Sequence, residues 1–375
     1  MPGLRPDVDP DGLQEFSVVF TDRSLNHMSQ KFQLIMREIS AMLCRVYQAE
    51  AVALVPGGGT CAMEAVARQF ACAAHALVIR NGFFSYRWSQ ILDAGSFAAK
   101  TTVMMARAAG NAAKAPFAPA PIQEVVARIR EERPHVVFAP HVETAAGMIL
   151  PDDYIKAVAD AAHEVGALMV LDCIASGAIW VDMAATGVDV LISAPQKGWS
   201  ASPSAGMVML SERALARLEV TSSNSFALDL KKWRAIMKAY EDGGHAYHAT
   251  MPTDAIVGLH AAMQETEALG FEILRQAQWE LGRLVRADLA RRGLISVAAE
   301  GFAAPGVVVC YTDDPEVQNG KKFLAKGYQI AAGVPLQVKE GDDFRSFRIG
   351  LFGLDKLRDV EGTLARLIPA FDAVL

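Results

Sequence analysis

The feature that most constrains this chain is a strict alternation. Short, wholly apolar runs of strand length are separated by longer stretches with helical periodicity. The runs are 51–55 (AVALV), 76–79 (ALVI), 135–139 (HVVFA), 167–171 (ALMVL) and 188–192 (VDVLI), with 205–210 (AGMVML) as a further candidate. A strand that is apolar at every position has both faces covered. Strands of this kind joined by helical crossovers form a mostly parallel sheet with helices on both sides. The intervening segments read as helices. Over 25–47, Met28, Phe32, Ile35, Met36, Ile39 and Leu43 recur at spacings of three and four. The segment 121–132 opens on a proline and closes before Pro134, and 152–165 follows Pro151 and stops near Gly166.

From Thr253 the pattern changes. Helices are expected over 253–269 and 271–292, then shorter strands at 295–299, 307–311 and 344–349, and a last helix from about 354 to the end. This predicts a smaller α+β domain with an antiparallel sheet. The expected division is an N-terminal arm over 1–20, a large α/β domain over 21–269 and a small domain over 270–375. A length of 375 residues suits two cores.

Composition narrows the function. A formal net charge of −6 with scattered Lys and Arg gives no basic surface for nucleic acid. Charged residues interrupt every long apolar region, so no segment of about 20 residues can span a bilayer. Five cysteines without a C-x-x-C pair fit reduced thiols in a cytoplasmic protein. The polar, Pro-rich stretch 1–12 lacks the apolar core of a signal peptide.

In parallel α/β sheets, ligands bind beyond the carboxyl ends of the strands, and five such segments carry distinctive residues. Pro56-Gly57-Gly58-Gly59-Thr60 joins a strand to a helix; it is either a tight turn or a phosphate cradle. Asn81 to Arg87 offers aromatics for core packing or for stacking on a planar ring. His141 to Gly147 places polar groups at a third strand end, as a surface turn or as ligand contacts. Asp172 ends a buried strand; it can cap a following segment or pair with a protonated ring nitrogen. Lys197 follows another strand among small and aromatic neighbours; it is either a solvated loop lysine or a desolvated and therefore nucleophilic amine. Asp172 lies 25 residues before Lys197, one β-α-β step, so the two occupy neighbouring strand ends. A dinucleotide site at Gly57–Gly59 requires an acidic residue at the next strand end, where Arg80 and Asn81 stand instead.

At these residues the chain resembles the class V aminotransferases, pyridoxal 5′-phosphate (PLP) enzymes of fold-type I, and is most similar to the alanine–glyoxylate / serine–pyruvate branch. The resemblance runs from about Thr21 to Leu375. It is carried by Leu171-Asp172 with Ala175-Ser176, by Ser193 to Lys197, by Tyr247-His248-Ala249-Thr250-Met251-Pro252, and by Arg348-Ile349-Gly350-Leu351 with Gly353. It implies that Lys197 is the Schiff-base lysine and Asp172 the partner of the pyridine nitrogen. Phe84 would stack on the ring, Ile174 would lie against its far face and Thr144 near its hydroxyl. Gly58, Gly59, Thr60 and Gln196 would bind the phosphate. Tyr247 and Thr250 would reach the cofactor of a second subunit in a homodimer with shared sites. Arg348 would hold the substrate carboxylate, with Arg345 on the opposite face of the same strand. Transfer of an amino group from a small amino acid to pyruvate or glyoxylate is the implied activity. A lyase of β-elimination or desulfurase type is the alternative. A desulfurase needs an exposed cysteine, and Cys310 lies in an apolar strand. The family's Gly-Pro-rich N-terminal segment is replaced here by Gln14 to Arg23.

Overall fold

In the computed structural model, described over residues 8–9 and 12–375, the apolar runs assemble into one seven-stranded sheet. Its strands are β1 (Ala51–Pro56), β2 (His75–Arg80), β3 (Lys100–Met105), β4 (Val136–Pro140), β5 (Leu168–Asp172), β6 (Val190–Ser193) and β7 (Ala205–Leu210). They lie in the order β1-β7-β6-β5-β4-β2-β3. Only β7 runs antiparallel to its neighbours β1 and β6; every other pair is parallel. All six expected strands are present. β3 was not expected. It sits at the sheet edge, and its residues are mostly half-exposed, so KTTVMM does not carry the apolar signature of the central strands.

The helices form where their apolar stripes can be buried. α1 (Gln30–Tyr47) buries Phe32, Ile35, Met36, Ile39 and Leu43. Each such side chain contributes about 1.5–3 kcal/mol. The helix starts five residues later than the periodicity predicts. Ser29 caps it by accepting from the Phe32 amide at 3.1 Å, which leaves Met28 outside and exposed. α2 (Gly59–Phe70), α3 (Phe83–Gly95), α4 (Ile122–Glu132) and α5 (Asp152–Glu164) are crossovers between strands. α6 (Leu230–Glu241) packs on α1 and β1.

α7 (Thr253–Leu269) and α8 (Phe271–Arg291) meet at Gly270, whose φ of 93° needs glycine. The small sheet is antiparallel, as expected: β8 (Val307–Tyr311) and β9 (Ala331–Ala332) flank β10 (Ser346–Gly350). Two expectations fail here. The strand over 295–299 is reduced to isolated bridges from Ser296 to Cys310 and from Ala298 to Phe117. The last helix is broken into α9 (Leu354–Leu357) and α10 (Val360–Val374), because Asp359 caps a new start through the Gly362 amide. The arm expected over 1–20 falls partly outside the described residues, as does most of the stretch 1–12.

Candidate active site

The parallel register of β5 and β6 sets Asp172 beside Ile192, and Lys197 follows in the loop after β6. Gly198 lets this loop settle. A Cβ there would lie 2.1 Å from the Gly177 carbonyl oxygen, so no other residue fits. Asp172 is buried, and burial pushes its carboxyl up to about 6. The Ile174 amide donates to it at 2.9 Å, and the positive charges of Lys197 and Arg87 act in the same direction, favouring the anion. Desolvation pulls the Lys197 amine below the usual lysine range, opposed by the charge of Asp172. The Lys197 Nζ lies 5.1 Å from the centre of the Phe352 ring.

The Gly-rich turn opens α2 with Gly58 extended at its N-cap and nothing within 4 Å of a Cβ added there. Space therefore adjoins a helix N-terminus that is twelve residues long, with free amides for an anion. A Cβ on Gly59 would meet the Ile174 side chain at 2.5 Å, which places Ile174 against the turn. Thr60 is exposed at the first turn, and its hydroxyl accepts from Arg87 at 3.0 Å. Arg87 lies on α3 and faces the Phe84 ring at 5.4 Å, while Arg348 from β10 faces the same ring at 5.3 Å.

Phe84 is held by a residue to which the sequence reading gave no role. Glu143 is fully buried. Its carboxylate accepts from the amides of Phe84 (3.2 Å), Ser85 (2.8 Å) and Ala145 (2.9 Å) and from the Ser85 hydroxyl (2.7 Å). It caps α3 from a different segment of the chain. Its negative charge also reaches Asp172, Lys197 and Arg348. Thr144, next to it, is buried. His141 is buried too, with Nδ1 2.7 Å from the Ser176 hydroxyl, and burial takes its ring down to about 3.

Arg348 is half-buried, and its Nε donates to the Ala332 carbonyl at 2.8 Å. Arg345 precedes β10 and is exposed. Gln196 is exposed beside Lys197. Tyr247 and Thr250 are exposed as well, joined hydroxyl to hydroxyl at 3.1 Å. Cys310 is buried in β8, and burial pushes its thiol up to about 11. Among the described residues, no group of three or more His, Cys, Asp and Glu is arranged to hold a metal ion, and no helix is long and apolar enough to cross a membrane.

These residues suit PLP. The open N-terminus of α2 matches a phosphate, a buried carboxylate matches a protonated ring nitrogen, and a desolvated amine matches an aldehyde. Arg87, Glu143 and Phe352 are the additions made by the three-dimensional structure. Arg87 and Glu143 stood in segments the sequence singled out; Phe352 lay inside the Arg-Ile-Gly motif region without a signal of its own.

Comparison with known proteins points the same way. The family model Aminotransferase class-V matches residues 13–334. The small subunit of a soluble hydrogenase from Synechococcus sp. (strain PCC 6716) is 27% identical over 350 residues, covering 92% of this chain and 88% of the relative. A 2-aminoethylphosphonate–pyruvate transaminase from Burkholderia ambifaria (strain MC40-6) is 26% identical over 380 residues, covering 94% and 92%. The names of these two relatives differ in chemistry, although both align along nearly the whole chain. The solved alanine–glyoxylate aminotransferase from Nostoc sp. shares the fold, with a TM-score of 0.79 at 23% identity over 93% of this chain and 89% of that one.

Proposed function

Because the chain belongs to the class V aminotransferase family, whose members work with PLP, we propose that it moves the amino group of a small amino acid to a small 2-oxo acid such as pyruvate or glyoxylate. The observation that carries this reading is the pairing of a desolvated Lys197 with a buried Asp172 at adjacent strand ends. The pyruvate and glyoxylate named for relatives such as the Burkholderia and Nostoc enzymes support the choice of acceptor.

When bound, PLP supplies an electron sink conjugated to the substrate α-carbon. In this reading Asp172 keeps the ring nitrogen protonated through its carboxylate. Lys197 would hold the cofactor through its aldehyde and, as a free amine, would move a proton at Nζ to and from the substrate α-carbon. The amides of Gly58, Gly59 and Thr60, with Gln196, bind the phosphate. Phe84 and Ile174 would hold the ring between them, and Thr144 would contact its hydroxyl. Arg348 holds the carboxylate of each substrate in turn by its planar fork. Tyr247 and Thr250, exposed on one protomer, reach the phosphate site of a second in a homodimer. We place the dimer in the cytoplasm, which suits five free cysteines. We divide each chain into an arm over 1–20, a large domain over 21–269 and a small domain over 270–375.

A half-reaction screen tests the proposal. Single amino acids are added to the PLP-loaded enzyme, and loss of the aldehyde-form absorbance is scored. Small amino acids should bleach it, and pyruvate or glyoxylate should restore it. Lys197→Ala should show neither change while still binding PLP noncovalently. Release of ammonia from one amino acid alone, without an acceptor, would mean elimination and would sink the transaminase reading.

A further inference from the structure

A cation-bearing cavity lies on the carboxyl edge of the same sheet, away from Lys197 in the chain. Arg80 is the last residue of β2 and pairs with Met105, the last residue of β3. Both line a cavity of about 510 Å³ whose opposite wall is the loop after β9, with Gln337, Lys339 and Phe344. Strand ends of this kind are where α/β sheets take ligands.

Arg80 is 91% buried, since only 9% of it is exposed. One of its terminal nitrogens donates to the Gln337 carbonyl at 3.2 Å and the other to the Ser89 hydroxyl at 2.8 Å, and Tyr86 lies 4.5 Å beneath the guanidinium. None of these partners is an anion. The Nε has no hydrogen-bond partner among the described residues. Burying a guanidinium without a carboxylate is costly, so the charge favours an anion at the N–H groups that its terminal nitrogens have left. Asp93 acts on it only as a longer-range field.

The facing loop is built, not slack. Glu340 accepts from the amides of Leu336, Gln337 and Val338 at 2.5, 2.9 and 2.9 Å. Its carboxylate is thus committed to the loop itself. Gln337 and Lys339 hold φ values of 66° and 68°, in the left-handed region that side chains avoid. Strain of this kind, held by three hydrogen bonds, marks a preformed wall. Lys339 adds a second cation to the lining. Asp342 also lines the cavity; it and Lys339 are both exposed and solvent screens both, so the buried Arg80 is the charge that decides the site.

We propose that the Arg80–Lys339 cavity is an anion-binding site, separate from the substrate-carboxylate grip at Arg348, that takes a carboxylate, phosphate or phosphonate group. The group comes either from the far end of an acidic substrate or from a free anion in solution. The site does not depend on the transaminase reading, because binding is measured directly.

The experiment is calorimetric titration of the PLP-loaded enzyme with inorganic phosphate and with succinate. Saturable binding is expected at millimolar concentrations. Arg80→Met should weaken it by about tenfold or more, and Lys339→Ala by a smaller factor, whereas Arg348→Lys should leave it intact. Lys339 is exposed, so its variant decides the matter even if Arg80→Met fails to fold. Turnover separates the two sources. If the anion is the substrate's own, Lys339→Ala raises KM for acidic amino acids and not for alanine. If it is free, phosphate binds without competing with any substrate. No saturable heat with either probe, or binding that Lys339→Ala leaves unchanged, overturns the proposal.

Discussion

The strand-end pair and the Tyr247–Thr250 segment are assigned to the same cofactor, yet they are built in opposite ways. Asp172 is buried and its carboxyl displaced to about 6, and Lys197 is displaced downward by the same loss of water. Tyr247 is 56% exposed, and among the described residues its hydroxyl meets only that of Thr250. Groups of the first kind have been prepared for chemistry by the chain's own fold. In the proposed homodimer, groups of the second kind would join a site when a second subunit approaches. The prediction that follows is a gradient: effects should be largest where burial has already shifted the charge and smallest where solvent still reaches it.

Asp172→Asn should give the largest loss, several powers of ten in rate, or on the order of 4–6 kcal/mol of barrier. It keeps the shape and an acceptor for the Ile174 amide while removing the charge. The same variant should behave differently without cofactor. The folded-state value of about 6 lies above the ordinary one, so the native protein holds this proton more tightly than the unfolded chain. Its contribution to stability is therefore fully present at acid pH and is lost as pH rises from about 4 to 6. Cofactor-free Asp172→Asn should accordingly melt higher than cofactor-free wild type at pH 7–8, and the difference should vanish near pH 4. A rate loss below about tenfold, together with a lower melting temperature, would reduce Asp172 to a cap.

Arg348→Lys is the intermediate case. The guanidinium is half-buried, lies over Phe84 and is fastened to the Ala332 carbonyl, none of which an ammonium reproduces. Both half-reactions should lose about a hundredfold in kcat/KM, since one site binds both substrates, with PLP absorbance near wild type. Arg345→Lys, on an exposed residue, should be close to neutral. The reverse ranking would show that the substrate face of β10 has been misassigned.

Tyr247→Phe should have the smallest effect, a few-fold rise in the Kd for PLP with little change in kcat. If paired with Thr250→Ala it leaves PLP affinity untouched, or if sedimentation shows a competent monomer, the contrast between the two regions loses its basis.

Six of the seven strands and the positions of Asp172 and Lys197 were legible because a strand buried on both faces must be apolar throughout. A charged residue directly after such a run therefore stands out. Edge strand β3 was not legible, since half-exposed residues such as Lys100 and Thr101 tolerate polarity. Glu143 stood in a segment that read as a surface turn or as ligand contacts, with no role of its own. Only the docking of α3 against its loop surrounds it with four donors from Phe84, Ser85 and Ala145. Arg80 read simply as the wrong residue for a dinucleotide site, until the loop after β9 closed over it. What the sequence determined by itself is six strands of the sheet and the neighbouring strand ends that carry the aspartate and the lysine. These follow from local apolar patterning and chain connectivity. What only the tertiary structure decided is which charges are stripped of water and by whom, because desolvation depends on segments that meet from far apart in the chain.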